Sequence, residues 1–204
     1  MKILICLFIG GLFFQTAVLA ATTFSVSATI PSASGFSAAV SSVNLTTDSV
    51  AAMPAGTTAL NFNHMNFSTS KHMFMPSHAF AIDFTPTAGA GNQDVSVAYT
   101  EGSNPSGASD GLGARATATF AKEMAGTVSG TTTETLLTAH GPRKRLIDVD
   151  GERISHTELA GGFLRIYVRM WTGDASDPSN GKPFTAADQP GNYTGSLVVT
   201  SVPS

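Results

Sequence analysis

Residues 162–172 read GFLRIYVRMWT. Leu164, Ile166, Val168 and Met170 fall on one side of an extended chain, with Phe163, Arg165, Tyr167, Arg169 and Trp171 on the other. Strict alternation over this length is a β-strand signal, because successive side chains of a pleated chain point to opposite faces. The second side is aromatic and basic. It reads as a half-exposed sheet face on which arginine stems cover rings. The other reading is a carbohydrate- or partner-binding surface around Tyr167 and Trp171.

The same alternation recurs on both sides of this strand. Phe24, Val26, Ala28 and Ile30 alternate with Ser and Thr in residues 22–30, TTFSVSATI. Leu60 and Phe62 alternate in ALNFNH, Phe80, Ile82 and Phe84 in AFAIDF, then Val95, Val97 and Tyr99, then Ala114, Ala116, Ala118 and Phe120. Val43 and Leu45 give a weaker signal, and residues 126–138 read as a Thr/Gly-rich strand with a loop in its middle. Residues 193–202, YTGSLVVTSV, form a terminal strand. Asp150-Gly151 between two short apolar alternations predicts a hairpin. Turn chemistry marks residues 31–35, the exposed loop at 101–113 (EGSNPSGASDGLG) and a long polar loop at 173–191. Eight to ten short strands without a helix, repeat or internal linker predict one antiparallel β-sandwich.

The N-terminus reads as a secretion signal. Lys2 precedes the apolar run ILICLFIGGLFF at residues 3–14, and AVLA follows at 17–20. A basic start, a short apolar core and small residues at the cut define such a segment. Gln15 interrupts the run, which is too short for a spanning helix of about 20 apolar residues. Cleavage is expected after Ala20, with Ala21 as the alternative. The division is then 1–20 signal, 21–31 N-terminal extension and 32–204 sandwich domain. Cys6, the single cysteine, leaves with the signal, so no disulfide, thiol nucleophile or thiolate metal site is expected.

Charged residues make up 12 % of the chain and the formal net charge is −3. No basic stripe is present, which argues against nucleic-acid binding. His64, His72 and His78 with Met65, Met73 and Met75 suggest copper ligands, but the spacings match no ligand motif, and Met also fills cores. Asp148, Asp150 and Glu152 resemble the start of a calcium loop without its later ligands. Arg143-Lys144-Arg145 reads as a solvated loop. No Gly-x-Ser-x-Gly elbow is present. Sequons at Asn44, Asn66 and Asn192 are read as chance. No enzyme, cofactor or metal is expected.

Three features together resemble subunits of chaperone–usher pili, in the cysteine-free alternative or common-pilus manner. They are the alternating segment just after the signal, the Leu60-Asn61-Phe62 strand, and Gly191-Asn192-Tyr193 leading into Leu197 and Val199 at the chain end. The resemblance covers the two ends and the strand rhythm. It implies an immunoglobulin-like, pilin-type sandwich built one strand short, whose groove takes the N-terminal extension of a neighbouring subunit. In that scheme Phe24, Val26, Ala28 and Ile30 are the inserted side chains, and Tyr193, Leu197 and Val199 belong to the strand lining the groove. The implied partners are other pilus subunits, a periplasmic chaperone and an outer-membrane usher. The implied destination is the cell surface by way of the periplasm, with a role in adhesion. Residues 22–30 read equally as an ordinary first strand paired inside its own sandwich. The alternative function is a stand-alone secreted binding module for glycan or an envelope protein.

Overall fold

The computed structural model describes residues 24–29, 36–62, 65–86, 92–124, 135–173 and 181–204. The signal expected at 1–20, Ile30, the turn at 31–35, His64 and the Thr/Gly-rich residues 126–134 lie outside the described residues.

The described chain is all-β and forms a sandwich. In chain order the strands are β1 Phe24–Thr29, β2 Phe36–Asn44, β3 Val50–Ala52, β4 Ala59–Asn61, β5 Met65–Ser68, β6 Met73–Pro76, β7 His78–Pro86, β8 Gln93–Glu101, β9 Ala116–Glu123, β10 Lys144–Arg145, β11 Glu152–Ile154, β12 Phe163–Met170 and β13 Tyr193–Pro203. One helical turn, α1 (Leu112–Arg115), precedes β9. The first sheet runs β11-β8-β13-β1-β4 and the second β10-β9-β12-β7-β2-β3, while β5 and β6 make a separate hairpin.

The alternating residues of β12 decide the packing. Ile166 lies opposite Ile82 on β7 and Phe120 on β9, and all three are at most 1 % exposed. Leu60, Val97, Tyr193 and Leu197 of the first sheet belong to the same core, each 0 % exposed. Full burial of a side chain of this size is worth about 1.5–3 kcal/mol. The Phe80-Ile82-Phe84 and Val95-Val97 alternations sit in β7 and β8 as expected.

The second side of β12 is mostly buried, not half-exposed: Phe163, Arg165 and Tyr167 are at most 7 % exposed, and Arg169 alone is partly exposed. Tyr167 is enclosed by Val43, Ala79, Ala81 and Ala121 in a small cluster of its own. Arg165 lies across from Asp83 and donates Nε to Oδ1 at 2.6 Å and Nη2 to Oδ2 at 2.8 Å. Hydrogen bonding to Asp83 raises the Arg165 pKa. The guanidinium groups of Arg165 and Arg169 lie 5.8 and 5.2 Å from the Tyr167 ring centroid. Trp171 is only 5 % exposed, and the Gly181 backbone lies so close that a methyl there would sit 2.9 Å from the indole. The small residues that make room for Tyr167 are on β2, β7 and β9, so nothing within the β12 segment announces the burial.

Three turn assignments change as well. Residues 101–113 are not wholly an exposed loop: Leu112 is 0 % exposed, and Ala114, expected in a strand, lies in α1. Asp150-Gly151 does make a turn, with Gly151 at φ +80°, but not a hairpin. β10 before it pairs with β9 in one sheet, and β11 after it pairs with β8 in the other. A 3-10 turn at Leu146–Asp148 makes the crossing, with Leu146, Val149 and Ile154 all 0 % exposed. Burying these three in the inter-sheet core outweighs local hairpin pairing. In the long loop, Phe184 is buried at 1 % and its carbonyl accepts a bond from the Phe74 N–H at 2.7 Å.

Candidate functional site: a strand slot between β13 and β4

β1 occupies a slot with β13 on one side and β4 on the other. It runs parallel to β13, pairing Phe24 with Tyr193, Val26 with Gly195 and Ala28 with Leu197. It runs antiparallel to β4, pairing Ser25 with Asn61, Val26 with Leu60 and Ser27 with Ala59. The alternation of β1 is therefore in phase with that of β13. This is the one parallel pairing among the described strands, and β1 is the only strand paired with β4. Without β1, the facing edges of β13 and β4 stand two strand spacings, about 10 Å, apart.

The three groove residues predicted from sequence flank this slot. Tyr193 and Leu197 are in register with β1, and Val199 lies just past the last pair, Thr29 with Val198. All three are at most 2 % exposed. Of the predicted inserted positions, Phe24, Val26 and Ala28 lie in the slot of their own chain, and Ile30 is outside the described residues. The sequence left open whether this segment pairs in its own sandwich or in a neighbour's. In the single chain it pairs with its own.

β13 is braced by Tyr99 and Glu101, to which the sequence reading gave no part in the site. The Glu101 carboxylate accepts bonds from the backbone N–H groups of Leu112 and Gly113, each at 2.9 Å, and the Tyr99 hydroxyl donates to its Oε1 at 3.2 Å. Burial above all, and then the neighbouring Glu101 charge, push the Tyr99 phenol far above its ordinary pKa. Tyr99 reaches over Gly195, where an added methyl would run into the phenol ring. A glycine inside a strand often marks such close approach, and that was the signal available in the sequence.

At the start of β13, the Tyr193 ring meets Phe184 edge-on with centroids 4.8 Å apart. Its hydroxyl donates to the Gln189 carbonyl at 2.8 Å, and burial raises its pKa. The Arg115 guanidinium lies 4.5 Å from the Phe184 centroid, donates to the Pro183 carbonyl at 2.7 Å and forms a two-pronged pair with Asp188. The segment after residue 181 is thereby clamped beside the end of the slot where β1 begins.

Several of the other candidate groups are committed elsewhere. His78 uses its two ring nitrogens on Ser77 Oγ and the Asn61 carbonyl. Asp148 pairs with Arg145, and Glu152 with Lys144 and His140. Among the described residues no three His, Cys, Asp or Glu side chains gather as a metal site, and no described helix is long and apolar enough to cross a membrane. The sequence matches no protein-family model, and no curated protein or solved structure matches the chain.

Proposed function

We propose that this chain is an exported structural subunit of a bacterial surface fibre, in which residues 21–31 of one copy fill the slot between β13 and β4 of the next. The observation that carries this reading is the place of β1. The segment at Phe24–Thr29 supplies the one parallel pairing among the described strands and joins β4 to its sheet. An identical segment from a second copy can offer the slot the same backbone groups, and exchange of identical elements is a low-cost route to assembly. Main-chain bonds supply affinity and alternate side chains supply specificity. A head-to-tail exchange of this kind propagates into a filament instead of closing. Before exchange the open slot needs a temporary occupant, which is the part a periplasmic chaperone plays in this scheme, with an outer-membrane usher as the assembly site. Adhesion is the role proposed for the fibre.

The test uses a chain beginning at residue 21, a second beginning at residue 32, and a synthetic peptide of residues 21–31. The shorter chain is expected to melt early and to gain a sharply higher Tm when the peptide is added. The longer chain, refolded at high concentration, is expected to form linear oligomers visible by electron microscopy. A longer chain that stays monomeric at every concentration would overturn the proposal.

The pairing of β1 inside its own chain favours a second reading, a self-contained secreted binding module. It predicts a strict monomer whose β1 is not displaced by excess peptide.

A further inference from the structure

The first sheet ends in β4 and the second in β3, and between these two edges the sandwich opens into a cleft of about 540 Å³. Its walls carry Ser42 and Asn44 from β2, Asn61 from β4, and Ser77 with His78 at the start of β7. Among the described residues no Asp, Glu, Lys or Arg lines it. Ala51, Met53 and Ala59 contribute its accessible apolar surface, while Phe80 is buried at 2 % exposure. We infer that this cleft binds a neutral saccharide, a function that goes beyond fibre assembly and does not depend on it.

The inference rests on the chemistry of the walls. Asn44 spends its Oδ1 on the backbone N–H groups of Thr46 and Thr47, at 2.8 and 3.0 Å, which leaves the amide N–H groups as donors. Ser42 donates weakly to the Ala51 carbonyl at 3.4 Å and keeps its acceptor lone pairs. The His78 ring is held by Ser77 and Asn61 and stacks on Phe62, with centroids 6.1 Å apart and planes 13° apart. Fixed donors and acceptors without full charges, beside an apolar patch, match a ligand that has many hydroxyls and an apolar C–H face. A charged ligand would find no Asp, Glu, Lys or Arg as counter-ion among the described lining residues. The volume is within the usual range for a small-ligand site, about 300–1,000 Å³.

An added peptide strand suits the cleft less well. β4 is three residues long, and its Asn61 carbonyl already accepts the His78 Nε2 hydrogen at 3.2 Å. That removes an acceptor from a short edge.

The test is a backbone amide NMR titration of the chain from residue 21 with methyl glycosides of neutral hexoses and N-acetylhexosamines, and with glucuronic acid and glucosamine as charged counterparts. At least one neutral sugar is expected to shift residues 42–44, 51–53, 59–61 and 77–80 saturably, with a Kd of about 1 mM. Ser42→Ala should weaken it about five- to tenfold, as expected for one lost hydrogen bond. Ala51→Trp, at an exposed position lining the cleft, should abolish the shifts while leaving the rest of the spectrum intact. Absence of saturable shifts for every neutral sugar overturns the inference. So do binding that survives Ala51→Trp, stronger binding of a charged sugar, or sugar-independent, concentration-dependent shifts at the same residues, which would mark a contact between copies.

Discussion

Replacing Gly111 by alanine probes the brace behind β13 with a single methyl group. Gly111 has φ −87° and ψ −177°, a conformation open to any residue, so the backbone itself accepts alanine. The space does not. The new Cβ would lie 2.5 Å from Glu101 Cδ and 2.7 Å from each carboxylate oxygen. Glu101 must swing away and give up its bonds from the Leu112 and Gly113 N–H groups, both on buried residues. Hydrogen bonds to a charged group are worth about 1.5–3 kcal/mol each, so the expected loss for the two is about 3–6 kcal/mol. Urea unfolding followed by the fluorescence of Trp171, the single tryptophan, measures it. Glu101→Ala removes the same interaction from the other side, so the double variant should cost little more than either single one, a coupling of about 3 kcal/mol. Gly56→Ala is the control. Nothing lies within 4 Å of its added methyl, but φ is +79°, so the cost should be about 1 kcal/mol from backbone strain alone. A Gly111→Ala protein within about 0.5 kcal/mol of the parent, the usual range for a neutral surface change, would refute the reasoning. Strict additivity with Glu101→Ala would refute it too.

Three further outcomes follow from the packing and the charges. Leu197→Ala, at a fully buried position opposite β1, should cost about 2–5 kcal/mol in a urea melt. It should also weaken capture of the 21–31 peptide by the chain that begins at residue 32. Burial pushes the Glu152 and Glu158 carboxyls up, but hydrogen bonds from Lys144 and His140 to the first, and from Ser155 and His140 to the second, hold both below their ordinary values. A depressed carboxyl contributes stability above its unfolded pKa, about 4.3, and loses it as pH falls through the lower folded value. The urea midpoint should therefore drop below about pH 4, and Glu152→Gln should flatten that drop. Tyr99 and Tyr193 are both raised by burial, so an alkaline absorbance titration should show both ionising only as the chain unfolds. Here stability is present below the unfolded phenol pKa of about 10 and fades above it.

The long strands were legible from sequence because strict alternation over five or more residues has no helical counterpart. β7, β8, β12 and β13 all carry it. The strands of two to four residues, β3, β4, β5, β6, β10 and β11, hold too few side chains to set a period, which is why eight to ten strands were expected where thirteen are described. Asp150-Gly151 announced a turn correctly. Which sheet each arm joins was decided by the burial of Leu146, Val149 and Ile154 in contacts remote in sequence. Alternation placed Tyr193, Leu197 and Val199 in one terminal strand, but only the resemblance to pilus subunits set them beside a groove. The direction of β1 against β13 depends on the path of the intervening chain, and an alternating pattern reads the same forwards and backwards.

The direction of β1 also has a mechanical consequence. Because β1 and β13 run the same way, Phe24 and Pro203 lie at opposite ends of the paired ribbon. A pull on residue 24 against residue 203 drives the two strands to slide past each other, so the load falls on the whole ladder at once. In a force spectrometer this should register as one tall rupture peak. Peeling open bond by bond from one end would give a low plateau instead.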